Sequence, residues 1–241
     1  MVIGGLEKLS MIDFPGCIST VVFTVSCNFR CHFCYNPMLV LANTGEGESE
    51  YKEEDFSVIS EKDLLLFLKK RIGKIEGVVI SGGEPTLQLD LKDFIIKIKK
   101  MGFKVKVDTN GTNCKVIADL VKNKLIDYVA MDIKAPLEKY SDIVGVKVNI
   151  NEIKKTIKLL LSGIIPYEFR TTVVPGLHTV DDVIKISEEI TGAKKWFLQR
   201  FKSDTELVNN VFKNRETFSM AEMKTLVSSV KKNVPNCKLR E

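Results

Sequence analysis

The chain has 241 residues, 44% of them hydrophobic, and a formal charge of +5, enough for a full core in one α/β domain spanning residues 1–241. The modest charge, with no Lys/Arg block, leaves no nucleic-acid-binding arm and argues only weakly for an acidic partner. No secretory segment opens it and no run of about eighteen uncharged apolar residues interrupts it, so a cytoplasmic protein without membrane partners is expected.

Residues 1–16 are of mixed polarity and end in the turn signal Phe14-Pro15-Gly16. The run Ile18 to Val25 is β-branched and nearly all apolar, as in a strand of a parallel sheet covered on both faces. Directly after it come Cys27, Cys31 and Cys34, with Phe33 before the last. Three closely spaced thiols bind soft metal as thiolates, and an odd number leaves one corner for a substrate or cofactor. A zinc knuckle would need His32 as fourth ligand, but His32 abuts Cys31 and reaches the same tetrahedral ion only with strain. A disulfide framework does not suit a chain of this length.

From 43 to 57 the composition turns to Gly and acid, Glu46 to Asp55 above all, which reads as a surface loop. Ser60-Glu61-Lys62-Asp63 resembles a capping box with Asp replacing Glu, opening a helix through Ile72. Strand 77–81 leads into Gly82-Gly83-Glu84-Pro85, and a helix over 91–101 is closed by Gly102. Strands at 103–108, 127–133, 166–174 and 195–200 then alternate with helices at 113–124, 150–162, 180–191 and 219–232. Six strands alternating with helices imply right-handed crossovers and a parallel sheet, too few units to close an eight-stranded barrel. A doubly wound sheet has the same rhythm.

Cys27, Cys31 and Cys34 at this spacing, then Ser81-Gly82-Gly83-Glu84-Pro85, Asp108-Thr109-Asn110-Gly111 and Met131-Asp132-Ile133-Lys134, resemble in order the motifs of radical S-adenosylmethionine enzymes. The opening Leu6 to Gly16 and the run Val129 to Pro136 are similar to the activating proteins of anaerobic ribonucleoside-triphosphate reductase, a branch of the glycyl-radical-enzyme activases. The resemblance implies an α/β fold of the incomplete (β/α)6 barrel type, open on one side, and a 4Fe-4S cluster on the three cysteines. It implies S-adenosylmethionine bound with its amino group at Gly82, Gly83 and Glu84 and its carboxylate near Asp108, Thr109, Asp132 and Lys134. In some activases the Asp-Thr and Asp positions, here Asp108, Thr109 and Asp132, coordinate a monovalent cation. The chemistry implied is reductive cleavage to a 5′-deoxyadenosyl radical that takes hydrogen from a partner's backbone glycine, with flavodoxin or ferredoxin as electron donor. The rivals are a radical S-adenosylmethionine enzyme acting on a small molecule or modified base, and a non-enzymatic metal module.

Residue by residue, adjacent Gly82 and Gly83 let a ligand approach where a Cβ would clash, or simply end a strand in a turn. Asp132 and Lys134 point to one face of their strand, for a polar ligand or for an ion pair with a neighbouring strand. Asp108 shares parity with Lys104 and Lys106. Arg170 shares a face with Glu168 and Thr172, and either contacts the cofactor or pairs with Glu168. His178 reads as an adenosyl-pocket or solvated loop residue, Trp196 as packing, and Cys17, Cys114 and Cys237 as small buried hydrophobes.

Overall fold

A computed structural model of the chain describes residues 1–41 and 58–240; the acid-rich run at 43–57 lies outside them. Two compact units divide the chain, one of Met1–Asn28, Met38–Thr109 and Lys115–Val129, the other of Phe29–Pro37, Asn110–Cys114 and Ala130–Glu241.

In the first unit, β1 (Ile3–Ser10) runs antiparallel to β2 (Ser19–Thr24), with Leu6 opposite Val22. The short helix α1 (Pro37–Leu41) follows, then α2 (Glu61–Lys69), which ends before the expected Ile72. Ser60 caps α2 by accepting from the Asp63 N–H, while its hydroxyl donates to the Asp63 carboxylate. Strand β3 (Gly77–Gly82) lies parallel to β2 and to β4 (Lys104–Thr109), with Val22, Ile80 and Val107 in register. Between these strands, α3 (Leu91–Lys100) buries Leu91, Phe94, Ile95 and Ile98. That is the i, i+3, i+4, i+7 stripe of a helix packed on a sheet. Helix α4 (Cys114–Lys122) and strand β5 (Tyr128–Asp132) follow, the unit boundary falling within β5.

The second unit holds α5 (Tyr140–Val144), α6 (Ile150–Leu161), β6 (Tyr167–Val173), α7 (Val180–Glu189), β7 (Trp196–Arg200), α8 (Met220–Val230) and β8 (Cys237–Arg240). Its strands pair in parallel, β6 with β7 and β7 with β8. Full capping boxes, Thr179 with Asp182 and Ser219 with Glu222, start α7 and α8; each side chain satisfies an end N–H of the other's backbone.

Strand order is β1 to β8 in sequence. The six expected strands are β2 to β7, and each end of the series carries one more. Strand β1 escapes prediction because two glycines and exposed Glu7 and Lys8 break its alternation, and β8 because it is four residues long. Among the described residues no helix is long and apolar enough to cross a membrane.

Candidate functional site

In the first unit the end of β3 is stitched to the approach to Cys27. The Gly83 N–H donates to the Thr24 carbonyl and the Glu84 N–H to the Ser26 carbonyl, both at 2.8 Å. Ser26 itself turns the chain through a left-handed φ of 79°, a conformation that costs a non-glycine residue about 1 kcal/mol. A Cβ on Gly83 would stand 2.0 Å from the Ser26 carbonyl oxygen, and one on Gly82, whose φ is 113°, 2.3 Å from the Thr24 nitrogen. These two glycines let β3 dock against the segment leading into Cys27.

Glu84 is 1% exposed. Its Oε1 accepts from the Thr86 N–H (3.1 Å), the Thr86 hydroxyl (2.5 Å) and the Thr109 hydroxyl (2.8 Å). The carboxylate thus ties the turn after β3 to the end of β4. Asp108 accepts from Lys106 Nζ at 2.5 Å and from the Ser81 hydroxyl at 3.2 Å. Lys106 is wholly buried, so the parity of Lys106 and Asp108 marks an internal ion pair. Gly82, Gly83, Glu84, Asp108 and Thr109 are thereby linked through β3 and β4.

In the second unit the cysteine loop is anchored from several sides. The Cys34 N–H donates to the Cys31 carbonyl (3.0 Å) and the Arg30 N–H to the Val144 carbonyl (2.8 Å). Gly145 has φ 69°, and a Cβ there would come within 2.7 Å of the Arg30 carbonyl, so only glycine lets α5 end so close to the loop. Cys31 is buried and Cys34 partly so.

Facing these thiols, Asp132 accepts from Lys134 Nζ at 2.9 Å and from Arg170 Nε at 2.8 Å. Burial opposes ionisation of Asp132, but the Arg170 guanidinium and then the Lys134 ammonium outweigh it and hold the carboxyl well below the usual carboxylate range. Burial likewise works against the Lys134 charge. Asp132, and next the Cys31 thiol, hold it above the ordinary lysine value. Burial pushes the Cys34 thiol up, opposed by the Asn36 backbone donor and by Lys134. Asp132 thus makes an ion pair to the neighbouring strand, and its partner Lys134 sits in the field of two cysteines.

Arg170, which shares a strand face with Glu168, pairs with Asp132. Glu168 meets Arg240 of β8 at 3.2 Å. His178 is 3% exposed and so not solvated. Its Nδ1 accepts from the Val174 N–H at 3.1 Å, which leaves Nε2 to donate to the Lys134 carbonyl at 2.8 Å. Phe33 packs against its ring edge to face, 6.2 Å between centroids. The sequence reading missed Tyr140, whose hydroxyl accepts from the Lys134 N–H at 3.2 Å. A tyrosine six residues on carries no periodic signal. Trp196 is core, its indole N–H donating to the Thr171 hydroxyl at 3.0 Å. Cys17 and Cys237 are buried and Cys114 partly so.

Among the described residues no three His, Cys, Asp or Glu side chains gather as ligands of a single ion. A cubane asks for something different, one thiolate on each of three irons. Soft thiolates on a short loop, with the Lys134 ammonium beside two of them, are the donor chemistry such a cluster needs.

The model of the radical SAM superfamily matches residues 21–190, and the chain belongs to that superfamily, whose members use a 4Fe-4S cluster and S-adenosylmethionine. A protein of Methanocaldococcus jannaschii named as a glycyl-radical enzyme activating enzyme is 35% identical over 246 residues, 99% of this chain and 95% of that one. A Pyrococcus horikoshii protein named as a GTP 3′,8-cyclase is 25% identical over 189 residues, 78% of this chain but 53% of its own length. Among solved structures, Streptococcus suis SuiB bound to S-adenosylmethionine superposes with a TM-score of 0.67 at 16% identity, over 92% of this chain. The chain spans about half of SuiB's length (50%). That likeness speaks for the fold alone and bears out the incomplete (β/α)6 class, an α/β fold whose mostly parallel sheet does not close.

Proposed function

We propose that the chain is a glycyl-radical-enzyme activase, with anaerobic ribonucleotide reductase as the favoured partner and a flavodoxin or ferredoxin as electron donor. The observation that carries this reading is the nearly end-to-end match to the Methanocaldococcus activating enzyme, 99% of one chain against 95% of the other. The choice of reductase rests on the runs Leu6 to Gly16 and Val129 to Pro136.

In this reading Cys27, Cys31 and Cys34 hold the cluster, and Gly82, Gly83, Glu84, Asp108, Thr109, Asp132, Lys134, Arg170 and Phe33 serve S-adenosylmethionine. When bound, the cluster supplies the single electron that breaks a carbon–sulfur bond of S-adenosylmethionine, and that cofactor supplies the fragment that takes hydrogen from the partner's glycine. The chain's own residues orient and hold charge. Asp132, kept ionised by Arg170 and Lys134, fixes both cations in place, and Lys134 offers a permanent positive charge to a carboxylate. Held groups of this kind make the electron transfer effectively intramolecular.

Anaerobic incubation of the reconstituted protein with reductant, S-adenosylmethionine and the candidate reductase should produce a glycyl-radical doublet in the electron paramagnetic resonance spectrum. Replacing any of Cys27, Cys31 or Cys34 by Ala should remove both the doublet and the brown chromophore, whereas Cys17→Ala, Cys114→Ala and Cys237→Ala keep them. Turnover of GTP with no protein radical would move the assignment to the small-molecule class that the Pyrococcus likeness favours. Loss of the chromophore in Cys17→Ala but not in Cys34→Ala would sink the cluster assignment.

A further inference from the structure

The segment after β7 has no place in the reading above, yet it is bonded to the backbone of the cysteine loop. The Val208 N–H donates to the Cys34 carbonyl at 2.9 Å and the Asn209 N–H to the His32 carbonyl at 3.1 Å. The His32 ring lies parallel to Phe212, 5.9 Å between centroids and 3° between planes, and the Arg215 guanidinium stands 4.3 Å from the centre of the same phenyl ring. Phe212 is 8% exposed.

The segment also closes on itself. Asn209 caps the turn Asn210–Phe212 through the Val211 N–H. Ser203 accepts from the Asn214 N–H at 2.8 Å and its hydroxyl donates to the Arg215 carbonyl at 2.8 Å. The cysteine loop by contrast has no helix or strand between Thr24 and Pro37. Left to itself, such a loop would have to be ordered when its ligand arrives, at the expense of affinity. Supporting contacts to metal-ligating groups orient them and tune the metal.

We propose that Leu207–Arg215 is a clasp that holds the His32–Cys34 stretch in its cluster-binding conformation. This positioning role rests on the cluster assignment above. Wild-type, Phe212→Ala, Phe212→Tyr and Arg215→Gln proteins, reconstituted anaerobically, would be compared by bleaching of the brown chromophore in excess chelator and by the cluster's reduction potential.

Phe212→Ala removes an aromatic pair and the seat of a cation, so bleaching should quicken about 5- to 50-fold at tenfold per ~1.4 kcal/mol. The potential should rise as water reaches the cluster. Phe212→Tyr keeps the ring and should restore both. Arg215 is exposed, so Arg215→Gln keeps the fold and should quicken bleaching about 2- to 5-fold; it decides the matter alone if Phe212→Ala does not fold. Wild-type bleaching and potential in Phe212→Ala and Arg215→Gln overturn the clasp, as does a defect that Phe212→Tyr leaves unrepaired. A wild-type protein that takes up no cluster refutes the cysteine assignment itself, and the clasp falls with its premise.

Discussion

The two units each end their strands in charged side chains spaced two apart, and the outcomes differ. At the end of β4, Lys106 is wholly buried against Asp108, and the nearby Glu84 gives one oxygen to two hydroxyls and a backbone N–H. At the end of β5, Asp132 is shared between Lys134 and Arg170, all three side chains keep some contact with solvent, and Lys134 also faces Cys31 and Cys34. Lys106 is sealed from solvent, whereas Lys134 is accessible. Sequence parity is identical in the two, so burial decides which pair is architecture and which has charge to offer a ligand.

The largest effect should come from breaking the Lys106 pair. Lys106→Met removes a wholly buried cation from beside a buried carboxylate, and removing one partner of such a pair costs about 3–5 kcal/mol. Lys134→Met removes a side chain that is 18% exposed from a carboxylate that keeps Arg170, so its cost should be clearly smaller. Urea unfolding of the metal-free proteins gives both numbers. Equal losses at the two positions would erase the contrast between units.

The same two lysines should exchange rank in cofactor binding. A charge-assisted hydrogen bond contributes about 1.5–3 kcal/mol, so Lys134→Ala should weaken S-adenosylmethionine binding roughly 10- to 150-fold. Iron content should stay at the wild-type level. Calorimetric titration of the reconstituted protein tests this, and wild-type affinity in Lys134→Ala would leave that lysine a purely structural role beside Asp132.

How far these contrasts could be read from the chain follows from the reach of each signal. Strands β2 to β7 announce themselves through their regular alternation with helices, and β2 and β3 also through β-branched runs, because burial on both faces imposes an apolar stretch. Parity along one strand put Lys106 with Asp108 and Lys134 with Asp132, since residues two apart share a face. Contacts between distant segments left no such trace. Glu84 reaches Thr109 across 25 positions and Arg240 reaches Glu168 across 72. Without β8 in the reading, Glu168 had no visible partner but Arg170. At Gly82 and Gly83 a missing Cβ likewise signals close approach without naming what approaches, and the backbone of Thr24 and Ser26 is one such neighbour.

The smallest effect should appear in the second unit as a pH dependence. His178 is buried and neutral, with Nδ1 accepting from Val174 and Nε2 donating to Lys134, while Asp182 and Lys139 are the charged groups that bear on it. Burial is the main cause that lowers its pKa from 6.5, and it outweighs the opposing help of the Lys134 carbonyl and Asp182. Protonation would also cost the Val174 N–H its acceptor. In the unfolded chain His178 binds its proton at about pH 6.5, so below that pH the unfolded state holds more protons than the folded one. The contribution of this group is therefore complete above about pH 6.5 and declines as pH falls, by at most about 1.4 kcal/mol per pH unit, until the folded-state pKa is passed. His178→Gln keeps a donor for the Lys134 carbonyl but cannot titrate. Its stability, measured by urea unfolding of the metal-free protein from pH 7.5 to 5, should fall less steeply than that of wild type. Parallel curves would show that His178 takes up its proton in the fold as readily as in the unfolded chain, and the neutral strut beneath Lys134 would have to be abandoned.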